Sequence, residues 1–245
     1  MRIHYLQHVP FEDLAGMESW ALSRCHALSR TRLFCGEELP DPSSFDWLII
    51  MGGPMNIYPE DKYSWLAKEK ELIGRAISGG KIVLGVCLGA QMISDALGGV
   101  VTKNRYKEIG WFPVRLTEEG QASPVFSVLP DSFVALHWHG DTFSIPPGAA
   151  RTAESDACSN QAFILGKAIG LQFHLETTPE SMKRLLVNCS DDLAAGPYVQ
   201  EPLALASGGD GYDCAGSLME RLLDRIESEL GNSEKIWEND IDPGY

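Results

Sequence analysis

Long hydrophobic runs are missing from this sequence, and no stretch approaches the ~20 apolar residues of a membrane-spanning helix, which argues against a helical integral membrane protein. Basic residues are scarce. Lys and Arg number 20 against 34 Asp and Glu, a formal net charge of −14, and such a field repels phosphate backbones and anionic lipids. No nucleic-acid or membrane partner is expected, and the acidity reads as solubility. Paired cysteines are absent as well: Cys25, Cys35, Cys87, Cys158, Cys189 and Cys214 are scattered with no C-x-x-C. That pattern excludes a zinc ribbon or a disulfide scaffold and leaves reduced thiols. The first residues lack a basic stretch followed by an apolar one, so the expected location is cytoplasmic. A chain of 245 residues with 44% hydrophobic content suits one α/β domain with a sizeable core and has no room for a second full domain.

What is present centres on residues 81–91, KIVLGVCLGAQ. An apolar, β-prone run leads through Gly85 and Val86 into Cys87, and the residues from Leu88 onward read as a helix. A nucleophile at such a strand-turn-helix stands clear of the sheet, and the small neighbours Gly85 and Gly89 let the chain bend sharply. The helix N-terminus favours a thiolate, and its unpaired amides, that of Leu88 first, can hold an oxyanion. A cysteine nucleophile needs a base and an orienting acid. Residues 168–176, AIGLQFHLE, form another β-like run ending in His174 and Glu176. Residues i and i+2 of a strand share a face, so Glu176 can fix the tautomer of His174 while His174 moves protons at the thiol and the leaving group.

The order of elements predicts a flavodoxin-like, doubly wound α/β fold with a mostly parallel sheet, helices on both faces and a small antiparallel section. After a first strand, residues 12–26 show helical spacing, 31–35 read as β, 46–51 as a strand and 64–78 as a helix stopped by Gly79-Gly80. Such alternation implies right-handed parallel crossovers, with ligand sites beyond the carboxyl ends of the strands. Gly52-Gly53 and Cys87 fall at that edge. From residue 110 to 173 short β candidates at 111–117, 132–138, 149–153, 162–165 and 168–173 replace the helices. The basic stretch 103–108 reads as a solvated loop, and Trp111, Phe112 and Trp138 as core or pocket lining. Thr178-Pro179-Glu180 opens a helix running to Val187. Residues 191–245 are expected to be a helical extension packed on the 1–190 domain. Within it residues 212–230 carry Leu218, Leu222, Ile226 and Leu230 at every fourth position, a stripe that covers the domain or joins a second copy. Residues 234–245 read as an acidic tail. His4, His8 and His26 stand alone, and His137 with His139 has no acidic or Cys partner at ligand spacing, so no metal or other cofactor is expected.

Gly85-Val86-Cys87-Leu88-Gly89-Ala90-Gln91 followed by His174-Leu175-Glu176 resembles the class I (triad) glutamine amidotransferases, and the chain is similar to the amidotransferase domain found in GMP synthetase. The 46–56 segment, DWLIIMGGPMN, is similar to the family loop that lends an oxyanion-hole amide, which implies that role for Gly53. His137-Trp138-His139-Gly140-Asp141 is similar to the segment that holds the amino-acid end of glutamine, which implies substrate contacts at His139, Gly140 and Asp141. Leu175 stands where most relatives carry Pro; it restores an amide hydrogen and loosens φ.

The resemblance implies a cysteine-dependent hydrolase that cleaves the side-chain amide of glutamine through a Cys87 γ-glutamyl thioester. It also implies a separate synthetase to collect the ammonia. Gln91 meets either the polar end of glutamine or the loop backbone. A γ-glutamyl peptidase acting on glutathione-like substrates is the nearest alternative. A dienelactone-type α/β-hydrolase would place its acid before the His and far from it, and a silent binding protein would not need an intact Cys-His-Glu set.

Overall fold

The computed structural model describes residues 1–58 and 63–231, so the acidic segment 234–245 lies outside the described residues. Strand β1 (Arg2–Gln7) is followed by helix α1 (Gly16–Ser23), β2 (Ala27–Arg32) and β3 (Trp47–Ile50). Helix α2 (Leu66–Ser78), β4 (Ile82–Val86) and α3 (Leu88–Ala96) complete the wound half. The second half runs β5 (Val101–Leu116), α4 (Glu118–Ala122), β6 (Ser132–Phe143), β7 (Ala150–Glu154), β8 (Ala162–Leu165) and β9 (Ala168–Leu171). Helices α5 (Pro179–Asn188), α6 (Pro202–Ser207) and α7 (Gly211–Leu230) follow.

One sheet orders these strands β2-β1-β3-β4-β9-β8-β7-β5-β6. The first five are parallel and the remaining pairings antiparallel. Alternation along β3 shows how two layers arise: Trp47 and Ile49 face one core with Ile3 and Leu84, while Leu48 and Ile50 face the other with Val83 and Ile93. Helices α1 and α7 cover the first face through Trp20, Leu222 and Ile226; α2 and α3 cover the second through Leu72, Ile73 and Met92. A strand buried on both sides must be apolar at every position, which is why WLII and IVLGV lack a polar alternation.

Several elements differ from the sequence expectations. The 12–26 helix shrinks to Gly16–Ser23 because Asp13 accepts a hydrogen bond from the Ala15 amide (3.0 Å), making a turn, and Cys25 at φ 57° breaks the far end. The second strand starts four residues early, at Ala27, and Leu33–Cys35 is instead a single 3-10 turn closed by Gly36 at φ 71°. The basic 103–108 stretch is not a free loop. It belongs to β5, where Lys103 pairs with Asp141 and Glu108 with His139, so residues 104–107 bulge out opposite Gly140. Those extra residues spoil the period of two, which hid the strand. Helix α6 was not anticipated.

Past residue 190 the chain stays on the sheet: Val199 bridges Ile109, and the Gln200 side chain closes on both backbone groups of Trp111 (3.0 and 3.1 Å). Leu218, Leu222 and Ile226 of α7 are buried against the same core as Phe133 and Phe173, so the stripe covers the domain. Among the described residues no helix is long and apolar enough to cross a membrane.

Candidate active site

Cys87 joins β4 to α3 at φ 52°, ψ −106°, a conformation that costs a side-chain-bearing residue energy and is held here by its surroundings. A Cβ on Gly85 would collide with the backbone of Gly89, and one on Gly89 with the carbonyl of Ile50 on β3. Both glycines are therefore required by close backbone approach, as the turn demands. The Cys87 amide donates to Leu171 O on β9 (2.7 Å), tying the elbow to the strand that delivers the base.

Beyond Leu171 the chain stays extended. His174 exchanges two backbone hydrogen bonds with Leu136 of β6, at 2.8 and 3.2 Å. Gln172, His174 and Glu176 turn toward the site, while Phe173 and Leu175 are fully buried in the opposite core. Leu175 thus keeps the alternation that a proline would otherwise stiffen, and fills space besides. His174 Nδ1 and Glu176 Oε1 lie 2.7 Å apart. Burial alone would push the His174 pKa down, but the Glu176 carboxylate and the Cys87 thiol outweigh it and hold the ring well above its usual value.

The thiol itself sits in a narrow pocket of about 90 Å³ that also meets Gly53, Leu88, Gln91, His139 and Asp141. Gly140, by contrast, stands beside the Lys107 side chain and not on the pocket wall. Gln91 Nε2 donates to Asp141 O (3.4 Å) and to Gln172 Oε1 (3.2 Å), and Gln172 Nε2 reaches Cys87 Sγ at 3.6 Å. Gln91 thus ties the Asp141 backbone, as the loop-backbone alternative expects, and its side chain also lines the pocket. Gln172 escaped the sequence reading, although its place two residues before His174 puts it on the same face.

Two amides beside Cys87 are free. Neither Gly53 N–H nor Leu88 N–H donates to a protein acceptor among the described residues. The Gly52–Gly53 peptide is aimed from behind: the His8 ring bonds Gly52 O (3.1 Å) and Glu69 Oε1 (2.9 Å), with both side chains fully buried. Because C=O and N–H point oppositely across a trans peptide, anchoring Gly52 O presents the Gly53 N–H to the other side. Burial opposes the His8 charge, yet Glu69 and Gly52 O outweigh it and raise its pKa. His8 stands alone in the sequence because its partner lies 61 positions away.

The reading of His137 and His139 also needs correction. Glu108, carried in by β5, lies 3.0 Å from His139 Nε2 and 3.8 Å from His137 Nδ1, so an acidic partner exists. These three side chains offer a metal-compatible set with ligand atoms within 4.8 Å of one another. The carboxylate is already satisfied by protein donors: Ser155 Oγ at 2.7 Å and Gln161 Nε2 at 2.8 Å. Burial works against the Glu108 charge, but His139 and His137 hold its carboxyl below the usual range; burial drives His137 down to about 3. His139 Nδ1 meets Asp141 O (3.0 Å), so the cluster braces the segment behind the pocket. Trp138 reaches the pocket, whereas Trp111 packs on Tyr212 and Phe112 on Tyr198.

At the mouth, Lys107 from the bulge bonds Asp192 (3.0 Å), which also accepts from Trp138 Nε1 (3.4 Å). A second cysteine, Cys189, lines the pocket, but burial and then the Glu12 and Asp192 carboxylates push its thiol up to about 12, where it is no nucleophile.

A strained elbow cysteine, a His-Glu pair and two free amides are the parts of acyl-transfer chemistry through a thiol. The family model described as glutamine amidotransferase class-I matches residues 34–192. The chain belongs to the class I glutamine amidotransferases. Among curated members of this family, the glutamine amidotransferase-like protein YfeJ of Salmonella typhimurium is 34% identical over 199 residues, covering 79% of this chain and 83% of that one. The GMP synthase of Thermomicrobium roseum is 32% identical over 130 residues, but the match spans only 23% of its length. A solved glutamine amidotransferase from Thermotoga maritima superimposes with a TM-score of 0.83 at 32% identity, covering 92% of this chain and 97% of that one. One from Methylobacillus flagellatus gives 0.87 at 26% identity, with 94% and 95% covered.

Proposed function

We propose that this amidotransferase hydrolyses the side-chain amide of glutamine at Cys87 and delivers ammonia to a separate synthetase. The thiolate attacks the amide carbon, and the oxyanion is held by the amides of Gly53 and Leu88. His174, kept cationic by Glu176, gives its proton to the nitrogen as the C–N bond breaks and ammonia leaves. The same ring then takes a proton from water, which cleaves the γ-glutamyl thioester to glutamate and the free thiol. Gln91, His139 and Asp141 on the pocket wall meet the amino-acid end of the substrate, and Gly140, off the wall, joins the last two.

The observation that carries this reading is the convergence on one small pocket of the Cys87 elbow, the 2.7 Å His174–Glu176 pair and two undonated amides. A pocket of about 90 Å³ favours a single amino-acid side chain over a peptide. The synthetase partner rests on kinship with GMP synthases, one of which matches this chain over 23% of its own length. Glutamate release by the purified protein tests it, with glutamine and γ-glutamyl peptides side by side and Cys87→Ala as blank. Preference for glutamine is expected. Fast turnover of a peptide with little on glutamine would replace this reading with a γ-glutamyl peptidase.

A further inference from the structure

A carboxylate outside the Cys87-His174-Glu176 set lies beside the same atoms. Glu12 follows β1, is part-buried on the pocket wall, and makes no side-chain hydrogen bond or ion pair with any described residue. A methyl group placed on Gly52 would lie 2.5 Å from Glu12 Oε2, 3.6 Å from His174 Cε1 and 3.7 Å from Cys87 Cβ, so all three groups crowd one point. A desolvated carboxylate without a donor is costly unless the occupied site supplies one.

The sheet order says where that donor must come from. Cys87 ends β4 and His174 follows β9, two adjacent strands at the centre; Glu12 comes off β1 on one flank, whereas Asp141 lies on β6 at the far edge of the other. With the amino-acid end of glutamine against Gln91 and Asp141, and the carbonyl oxygen on Gly53 and Leu88, the remaining substituent of the reacting carbon is the amide nitrogen. It points to the flank shared by His174 and Glu12.

We propose that Glu12 is a further catalytic and specificity residue, accepting a hydrogen bond from the N–H groups of the scissile amide and stabilising the ammonium character that nitrogen gains as it leaves. This rests on the hydrolase reading of Cys87. No net proton transfer to Glu12 is involved: His174 supplies the proton, the C–N bond breaks, ammonia departs, and the carboxylate only orients and stabilises the nitrogen. Four groups surround it, namely His174 and Glu176 after β9, His8 at the end of β1, and Cys189 at the end of α5. Burial raises its carboxyl to about 7, with the His174 and His8 charges opposing and the Glu176 charge assisting.

The test compares two substrates that differ only in the leaving group: glutamine, which has N–H donors, and glutamate γ-methyl ester, which has none. Glu12→Gln and Glu12→Ala are each assayed for glutamate release from both. The expected result is a loss of about tenfold or more in kcat on glutamine, with ester turnover within about twofold of the parent. In the parent, the amide-to-ester rate ratio should fall as pH drops through about 7, where Glu12 becomes protonated; in Glu12→Gln the ratio should be flat. Equal loss on both substrates, or no loss on either, overturns the proposal for Glu12 while leaving the Cys87 hydrolase standing. A parent protein inactive on both substrates overturns the two together.

Discussion

At the scale of single residues, the site depends on charge held in low dielectric. Glu176→Gln removes the negative partner that keeps His174 cationic, and kcat on glutamine should fall by about 10³-fold or more, with the His174 titration moving toward lower pH; an unchanged profile would show that Leu175 has freed the site from its acid. His8 and Glu69 stand behind the Gly52–Gly53 loop. The pKa of His8 is raised in the folded protein, so its contribution to stability is fully present below about 6.5, the ordinary histidine value, and is lost as pH rises through the folded value. Glu69→Gln strips that partner and should cost about 3–5 kcal/mol near pH 6, a deficit that shrinks as pH rises through the folded His8 value; urea unfolding across a pH series measures it. The grouping of Cys87, His174 and Glu176 was legible from the sequence because its parts stand in two local motifs, the elbow and His174-x-Glu176. Glu12, Glu69, Glu108 and Asp192 were not, since each meets the site from an element remote in sequence and carries no local signature.

At the scale of elements, the elbow works because three backbones approach too closely for side chains. Gly89→Ala pushes a methyl into the Ile50 carbonyl and should destabilise by about 1–3 kcal/mol, while also displacing Cys87 and reducing turnover; wild-type melting and activity together would refute the close-packing argument. Thr178 illustrates a locally encoded element: its hydroxyl caps the Ser181 amide (3.2 Å), Ser181 returns the bond (2.9 Å), and Pro179 sits in the first turn. That helix start was readable. The β5 bulge was not, because Asn104 and its neighbours are polar and break the alternation, and only pairing with β6 reveals the strand.

At the scale of the whole molecule, the parallel strands supply the elbow, the Gly52–Gly53 loop and, after β9, His174, while the antiparallel strands bring the Gln91-facing segment to them. Helix α7 seals one face of the sheet. Trp20 Nε1 and Arg24 both bond Asp224, and Leu222 lies fully buried beneath. Leu222→Ala should therefore cost about 2–5 kcal/mol in chemical denaturation without altering the mass seen in sedimentation; dissociation of a dimer would instead assign the stripe to a subunit contact. The doubly wound half was legible from its alternation of apolar strands and capped helices, and the stripe on α7 from its four-residue spacing. Hydrolysis at this site requires a covalent intermediate at Cys87. Acid quenching of the protein during glutamine turnover, followed by peptide mass spectrometry, should find a γ-glutamyl adduct on the peptide containing Cys87 and none in Cys87→Ala. Turnover of glutamine with that peptide unmodified, or with Cys87→Ala still active, would contradict the account.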